Sequence, residues 1–412
     1  MNETTYSPFR WFVLATMVVS VAISSLSLIS PAPLLEMMEK SGSFPGLNTG
    51  KIFLLTMATF NFFVALSCII GGFFLDRFGF YRVYIFGIIV ICLGEYLVPI
   101  IGETFWGMFL VRTLEGIGTG PIMSAGAQIA AIYFPYKERQ LVNGFTGFSV
   151  MTGISIGVIL VPTIAVSTGS WVAGMHNIWW YGILGIIMNI IVAFGPKPPE
   201  VAETKLPIEA KSDYRAAFKL PVTYFLIAFV FLMSWIFQTY NDVIPNYLTY
   251  SPPKGLGVSA GLMAPSTYAF MAAALLTGLV NKKLFKHNIK PHEALSFLFG
   301  GLLTLTMLVN AITSSSMMIM IMLALTTFCY GFVNPLAMGY ISEHYPQHVT
   351  GRLGGTAQGA GIVGGFGGPM VTGWVLAITD SYTEPLLILA GVCFIGFIVA
   401  LFAPIKAGGH NS

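Results

Sequence analysis

The sequence predicts an all-α membrane protein in which twelve transmembrane helices form two pseudo-symmetric six-helix bundles. Of its 412 residues, 55% are hydrophobic and only 9% are charged, whereas a soluble domain carries about 25% charged residues. Twelve apolar segments approach or exceed the length of about 20 residues that a helix needs to cross a bilayer. The two halves of the chain also repeat the same landmarks, which indicates an internal duplication.

Each predicted span is an apolar run that ends where charged residues, glycine or proline interrupt it. The spans cover residues 11–37, 51–75, 83–102, 105–133, 140–166, 177–195, 221–248, 261–280, 292–312, 316–341, 353–378 and 384–404. The chain turns polar after the sixth span, so we expect a cytoplasmic linker at 196–220 with a short surface helix near 208–218. This linker divides an N-terminal bundle at 1–195 from a C-terminal bundle at 221–412.

Corresponding positions in the two halves carry similar residues. Gly50 precedes the second span and Gly261 precedes the eighth, while Pro33 and Pro245 lie near the ends of the first and seventh spans. A Phe-Pro pair after the fourth span matches a Tyr-Pro pair after the tenth at nearly the same offset. Three matches in equivalent places favour a parallel duplication over coincidence.

The distribution of basic residues predicts the orientation of the chain in the membrane. One side holds most of them, at Arg10, Arg77, Arg82, Lys137, Arg139, Lys197, Lys205, Lys211, Arg215, Lys219, Lys282, Lys283, Lys286, Lys290, Arg352 and Lys406. The other side holds only Lys40, Lys51 and Lys254. Because cytoplasmic loops carry an excess of Lys and Arg, we expect both termini to be cytoplasmic. We also expect the protein to be a monomer in the cytoplasmic membrane.

A short charged turn, Gly72-x3-Asp76-Arg77-x-Gly79-x2-Arg82, joins the second and third spans. A turn this short makes the two helices antiparallel neighbours, and its charges must lie at a membrane face. Gly79 permits a tight backbone turn and Gly72 permits close approach of another helix. We expect Asp76 and Arg77 to pair with groups at the ends of adjacent helices.

This turn resembles the signature loop between the second and third helices of the major facilitator superfamily, although Phe80 and Tyr81 stand where basic residues are common. The fourth span contains Arg112-x3-Gly-x-Gly-x-Gly, which resembles the second signature of that superfamily. With the spans, the duplication and the linker, the resemblance covers the whole chain. It implies a secondary transporter whose bundles rock around a central site while the charged turn latches one state.

The resemblance also implies that Arg112 lies beside the central cavity. An arginine at this depth is costly unless it is paired, and Glu115 follows one turn later on the same helix face. Glu95 and Arg112 each lie about 10 Å below the outer ends of sequential helices, given a rise of about 1.5 Å per residue. We therefore expect one buried cluster, whose net charge of −1 when all three groups are ionised suits proton exchange at a carboxylate. The alternatives are a salt bridge that only locks helix packing and a neutral Glu95 in a helix contact.

The other candidates lie in the second half of the chain. The seventh helix lines the cavity in the superfamily, and here Asp242 lies within a turn of other polar residues before a helix break expected at Pro245. Asp242 can instead be a solvated acid at the outer mouth. In the tenth span, two polar residues four positions apart are expected to share a face. We expect substrate binding by Arg112, Glu115, Gln238, Asn241, Tyr330 and Asn334, and proton exchange at Glu95, Glu115 and Asp242.

These residues suit a small polar metabolite, in particular an organic anion such as a carboxylate, moved by alternating access with a proton or another coupling ion. The alternative is a proton-coupled exporter of drugs or amphipathic cations, because the three acids suit a cation as well as Arg112 suits an anion. Val158 follows Gly157 in the fifth span, so the Gly-Pro pair of the drug-antiporter signature is missing. This difference favours the organic anion.

Other function classes find less support in the sequence. A sensor or receptor on the same fold would need a signalling domain, and a membrane-embedded enzyme would need a reactive constellation. The sequence shows neither. It also contains no phosphate-binding loop of the Gly-x4-Gly-Lys-Ser/Thr type and no convincing spacing of metal ligands. We therefore expect no cofactor, no metal and no nucleic-acid partner, with the lipid bilayer and a small-molecule substrate as the partners.

Overall fold

The computed structural model describes residues 6–198, 214–252, 254–379 and 381–405, and every regular element in these ranges is helical. The prediction of an all-α protein is therefore confirmed. Most of the predicted linker at 196–220 lies outside the described residues. Its described part contains one helical turn, Tyr214–Ala217.

Within the described ranges, twelve long helices correspond in order to the predicted spans. They are α1 (Arg10–Ile29), α2 (Thr59–Phe78), α3 (Phe80–Ile101), α4 (Phe105–Ser124), α5 (Arg139–Thr168), α6 (Tyr181–Phe194), α7 (Pro221–Thr249), α8 (Ala264–Phe285), α9 (Ile289–Leu305), α10 (Ser316–Tyr330), α11 (Gln347–Thr379) and α12 (Thr383–Phe402). Shorter segments adjoin them, at Ala32–Leu34, Leu35–Lys40, Thr49–Phe53, Leu54–Ala58, Gly126–Tyr133, Tyr136–Glu138, Trp171–His176, Ala260–Met263, Thr306–Leu308, Asn310–Thr313 and Val333–His344.

Nine helical segments in the described part of the chain are long and apolar enough to cross a membrane by composition alone. The remaining long helices are α4, α9 and α11. α4 carries Arg112 and Glu115, α9 has only 17 residues, and α11 is rich in glycine. A search by length and composition therefore misses membrane-spanning helices that are short or whose polar and small residues are buried against other helices.

The chain forms two compact units. One comprises Met1–Tyr136, Ser149–Ala210 and Ser342–Gly359, and the other comprises Lys137–Phe148, Lys211–Ile341 and Ala360–Ser412. The first unit therefore contains α1–α4, most of α5, α6 and the beginning of α11, while the second contains α7–α10, α12 and the remaining parts of α5 and α11. The predicted division into bundles at 1–195 and 221–412 stays a prediction.

In the first unit, glycines allow α4 to pack closely against α2 and α3. A Cβ atom at Gly116 would lie 2.7 Å from the carbonyl oxygen of Phe60 on α2. Gly118 lies against the backbone of Gly87 on α3. Small residues at a contact let membrane helices approach one another. The glycines therefore hold α4, with its charged residues, between α2 and α3.

The turn between α2 and α3 consists of Gly79 alone, because α2 ends at Phe78 and α3 begins at Phe80. Gly79 has φ 79° and ψ 157°, a region of backbone conformation that is almost restricted to glycine. The predicted tight turn at Gly79 is therefore confirmed.

Two expectations about helix continuity are wrong. α7 is unbroken from Pro221 to Thr249 although it contains Pro245, and Thr249 supports this last turn by donating to the carbonyl oxygen of Pro245 at 3.0 Å. The tenth span is interrupted instead, since α10 ends at Tyr330 and Val333–His344 is a separate helix. Pro335 lacks the N–H that would bond the carbonyl oxygen four residues earlier. Tyr330 and Asn334 consequently do not share a face of one continuous helix.

Candidate functional site

Arg112 lies inside the first unit with a fully buried side chain. Its Nε donates to the carbonyl oxygen of Thr56 at 2.9 Å, its Nη1 to that of Ser27 at 3.0 Å and its Nη2 to that of Leu28 at 3.1 Å. Nη1 also donates to Oε2 of Glu115 in an ion pair. Four of the five guanidinium N–H groups are therefore engaged by the protein itself.

The local sequence explains why these carbonyl groups are available. In a regular helix the carbonyl of Ser27 would bond the N–H of residue 31, but Pro31 has no N–H. The backbone N–H and hydroxyl of Ser30 donate to this carbonyl at 3.3 and 3.0 Å, beside Arg112. α1 ends at Ile29, and the last carbonyls of a helix have no partner within it. Thr56 lies in the π-helical segment Leu54–Ala58, where backbone bonds do not follow the α-helical pattern. A buried cation at the carboxyl end of α1 is also stabilised by the helix dipole.

Both predicted acids lie beside Arg112. Glu115 is fully buried, and its Oε1 has no hydrogen-bond partner among the described residues. Glu95 on α3 is 2% exposed and interacts electrostatically with Arg112 and Glu115. A Cβ atom at Gly94 would lie 2.7 Å from Cγ of Glu115, so α3 and α4 meet at this point. We call Glu95, Arg112 and Glu115 the charge cluster.

Apolar side chains close the charge cluster off from water. The guanidinium carbon of Arg112 lies 4.4 Å from the centre of the Phe60 ring. Leu26, Val98 and Val111 belong to one buried hydrophobic cluster; Leu26 precedes the acceptor Ser27, Val98 follows Glu95 by one turn, and Val111 precedes Arg112. Charges interact more strongly in such surroundings than in water. A change in the protonation of either acid therefore acts strongly on the ion pair of Arg112.

The candidates on α7 form a polar strip in the second unit. Gln238 and Asn241 are exposed and Asp242 is half-buried. Asn241 donates to the carbonyl oxygen of Phe237 at 2.8 Å, and Gln238 bonds the carboxylate of Asp242 one turn further on. The strip belongs to the second unit and the charge cluster to the first. Its roles in substrate binding and proton exchange stay predictions.

Tyr330 is held inside the second unit. Its hydroxyl lies 2.7 Å from Oγ1 of Thr304 and donates to the carbonyl oxygen of Gly300 at 3.3 Å. Its ring meets that of Tyr240 edge-on, with 5.9 Å between the ring centres. Asn334 is half-buried on the following segment. These contacts indicate that Tyr330 fastens α10 to α9, and its role as a substrate ligand stays a prediction.

In the charged turn, Asp76 is directed inward. Its Oδ1 accepts from the backbone N–H of Gly351 at 3.0 Å and from Nε2 of Gln128 at 3.2 Å. Its Oδ2 accepts from the backbone N–H of Arg352 at 3.0 Å and forms an ion pair with Nε of that residue at 3.2 Å. Gly72 lies directly against the backbone of Gly351. The end of α2 is thus fastened to the beginning of α11.

The two arginines of the charged turn are exposed. The guanidinium carbon of Arg77 lies 5.3 Å from the ring centre of Phe78, and that of Arg82 lies 5.6 Å from the ring centre of Tyr81. Within the described chain, neither arginine has an ion pair with a carboxylate. Arg77 therefore does not make the pairing with an adjacent helix that the sequence suggested. The latch role of Gly72, Asp76, Arg77, Gly79 and Arg82 stays a prediction.

Sequence reasoning missed several residues. Gln128 and Arg352 were not linked to Asp76, because they are far from it in the chain. His292 and Glu293 open the ninth predicted span but were not among the candidate site residues, and they are only 2% and 0% exposed. The His292 ring stacks on that of Phe285 at 4.3 Å, and neither side chain has a hydrogen-bond partner among the described residues. The apolar residues around them recur at helical spacing, and this pattern could have predicted that the two side chains are buried.

Comparison with known proteins identifies the family. The profile described as Major Facilitator Superfamily matches residues 12–369. The chain belongs to the major facilitator superfamily. The predicted fold of twelve transmembrane helices is the fold of this superfamily, and the predictions of a multi-pass membrane transporter and not an enzyme are confirmed.

Individual proteins are similar to this chain over most of their length. The D-galactonate transporter of Escherichia coli O6:H1 is 28% identical over 397 residues, covering 85% of this chain and 87% of that protein. The probable galactarate/D-glucarate transporter GudP of Bacillus subtilis is 23% identical over 432 residues, covering 96% and 92%. The structure of the proton:xylose symporter XylE bound to 6-bromo-6-deoxy-D-glucose covers 97% of both chains with a TM-score of 0.73 and 13% identity. That last similarity concerns the fold.

Proposed function

We propose that this transporter moves a hydroxylated organic acid across the cytoplasmic membrane together with a proton. Relatives named as transporters of D-galactonate and of galactarate and D-glucarate support this substrate class. The observation that carries the coupling is the charge cluster, in which one buried arginine lies beside two buried carboxylates. The protein acts as a monomer, and the excess of basic residues on one side supports cytoplasmic termini.

Charge balance links anion binding to proton binding in the charge cluster. One arginine and two ionised glutamates have a net charge of −1, and a substrate carboxylate adds a second negative charge. Accumulating like charges in a buried site is costly. A proton on Glu115 weakens its ion pair with Arg112 and frees that guanidinium for the substrate carboxylate. Substrate and proton therefore bind together, as symport requires.

The charged turn provides the latch for one state of the transport cycle. Asp76 holds the beginning of α11 through two backbone N–H groups and the side chain of Arg352. Bonds between an ionised carboxylate and N–H groups are stronger than neutral ones. Alternating access requires two discrete arrangements of the helices, and release of Asp76 from α11 accompanies the exchange between them.

Uptake of radiolabelled D-galactonate into proteoliposomes tests the substrate class. We expect an inwardly directed proton gradient to drive accumulation, and we expect exchange of labelled for unlabelled galactonate without a gradient. Neutral D-galactose and the lipophilic cation tetraphenylphosphonium should not be transported. Transport of the cation in place of the acid would contradict the proposed substrate and favour an exporter of amphipathic cations.

The Glu115→Gln variant separates coupling from binding. Glutamine keeps the shape of the side chain but carries no exchangeable proton, so galactonate exchange should continue while gradient-driven accumulation is lost. Glu103→Gln is the matched control, because Glu103 is an exposed acid in the turn before α4, and it should keep both activities. An unchanged pH profile of accumulation in Glu115→Gln would exclude this residue as the proton carrier, and the same assay on Glu95→Gln then tests the second acid.

A further inference from the structure

A groove lies on the surface of the first unit between α2 and α3. Both helices pack against α4 and separate from each other beyond Gly79, so α4 forms the floor of the space between them. The groove has a volume of about 510 Å³, within the range of about 300–1,000 Å³ typical of small-molecule sites. Ile117 and Pro121 of α4 contribute to its floor.

The walls of this groove are apolar and face outward. Leu66, Ile70 and Phe74 of α2 and Phe86 of α3 line it, and their side chains are 47–55% exposed. These residues lie in segments apolar enough to cross the membrane. Acyl chains of the bilayer are therefore the surroundings of the groove, and its occupant enters from the lipid.

One end of the groove is positively charged. Arg82 lines that end together with Phe78, and the guanidinium carbon of Arg77 lies 5.3 Å from the centre of the Phe78 ring. The single acid of the turn, Asp76, is directed away into contacts with Gly351 and Arg352. Among the described residues, no carboxylate forms an ion pair with Arg77 or Arg82. The groove therefore offers two exposed cations at the end of an apolar channel.

We propose that the groove binds one phospholipid with an anionic headgroup, whose acyl chain lies along α2 and whose phosphate pairs with Arg82 and Arg77. An acyl chain leaves lipid surroundings to enter the groove and not water, so the apolar walls do not select one lipid over another. The arginines supply the selection, since basic sites between membrane helices bind acidic headgroups. This inference is independent of the transported substrate.

Native mass spectrometry of the detergent-solubilised protein tests the proposal. The protein is titrated with phosphatidylglycerol and, separately, with phosphatidylcholine of the same acyl chains. We expect one phosphatidylglycerol molecule to bind several-fold more tightly than phosphatidylcholine. Removing one cation at a membrane surface should weaken that binding about fivefold, so Arg82→Gln should lower the selectivity by this factor. Equal binding of the two lipids by the wild-type protein would overturn the proposal.

Control variants separate the groove from general surface charge. Lys137→Gln removes an exposed cation just before α5 that does not line the groove, and its lipid selectivity should equal that of the wild type. Leu66→Trp fills the groove and should release the bound lipid, whereas Phe62→Trp changes a side chain of α2 that does not line it and should not. Loss of selectivity in Lys137→Gln, or retention of the lipid in Leu66→Trp, would contradict a site in this groove.

Discussion

At the scale of single residues, Arg112 depends on the shape of its side chain as well as on its charge. The planar guanidinium meets acceptors from α1, the π-helical segment and α4. Lysine keeps the charge but presents its donors from one nitrogen, so Arg112→Lys leaves a buried carbonyl unpaired. We expect the free energy of unfolding to fall by about 1–3 kcal/mol, measured as a lower thermal unfolding midpoint in detergent.

Arg112→Gln is expected to be more damaging than Arg112→Lys. It removes the positive charge and leaves Glu95 and Glu115 buried without a counter-charge, which costs about 3–5 kcal/mol. Arg77→Lys is the control, since substitution of an exposed residue usually changes stability by less than about 0.5 kcal/mol. If Arg112→Lys had the same unfolding midpoint as the wild type, the contacts between the guanidinium and the carbonyl groups would not contribute to stability.

Glu293 presents the opposite case, a buried acid without a partner among the described residues. An unpartnered buried polar group destabilises the folded state by about 1–3 kcal/mol. We therefore expect Glu293→Leu to raise the thermal unfolding midpoint, while Glu103→Leu at an exposed position leaves it nearly unchanged. A lower midpoint in Glu293→Leu would mean that the carboxyl group has a stabilising partner. Higher stability combined with lost transport would mark Glu293 as functional.

The sequence predicts the residues of the charge cluster but not all of their contacts. The ion pair of Arg112 and Glu115 was predicted because an arginine inside a membrane needs a partner and Glu115 lies one turn away on the same helix. Glu95 was added because it lies at a similar depth on the preceding helix. The three carbonyl acceptors depend on where α1 ends and where the π-helical segment lies. Neither feature follows from hydrophobic periodicity, although Pro31 marks a carbonyl, that of Ser27, that lacks its regular donor four residues later.

At the scale of secondary-structure elements, the turn between α2 and α3 depends on one glycine. A residue with a side chain at the φ and ψ of Gly79 costs about 1–3 kcal/mol. We expect Gly79→Ala to lower the thermal unfolding midpoint accordingly. Gly391→Ala in α12 is the matched control, because a Cβ atom there meets no atom within 4 Å and alanine favours the helix by up to about 1 kcal/mol. If both variants had the same unfolding midpoint, the backbone conformation of Gly79 would not explain why the turn needs glycine.

Proline positions were harder to interpret from sequence than glycine positions. Pro245 and Pro335 both lie within predicted spans, but only the segment before Pro335 is interrupted. Each proline removes one backbone hydrogen bond, and the surrounding contacts decide whether the helix continues. Near Pro245 the helix has side-chain support from Asn246, which donates to the carbonyl oxygen of Asp242 at 2.7 Å. A side-chain hydrogen bond of this kind cannot be predicted from the periodicity of hydrophobic residues.

At the scale of the whole molecule, two contacts between helix ends resemble each other. Asp76 at the end of α2 bonds the beginning of α11, and Asn281 near the end of α8 donates to Gln140 at the beginning of α5 at 3.1 Å. Gln140 and Gly351 occupy equivalent places in the two halves of the chain. One copy of the contact is charged and the other is neutral, so their strengths differ.

This difference predicts unequal effects of removing the two contacts. Asp76→Asn replaces charge-assisted bonds worth about 1.5–3 kcal/mol each and should change both the thermal unfolding midpoint and the rate of substrate exchange in proteoliposomes. Asn281→Ala removes one neutral bond worth about 1 kcal/mol and should have a smaller effect on both. If Asn281→Ala slowed exchange as much as Asp76→Asn, the charge of the first contact would not be what distinguishes the two.

The order of synthesis gives the acceptors of Arg112 a further consequence. The ribosome delivers Ser27, Leu28 and Thr56 to the membrane well before Arg112. In the hydrocarbon these carbonyl oxygens have no water to bond. Ser27 and Thr56 also accept bonds from Ser30 and Thr59, so the acceptors from the first two spans reach their full set of bonds only when the fourth helix inserts and brings the guanidinium.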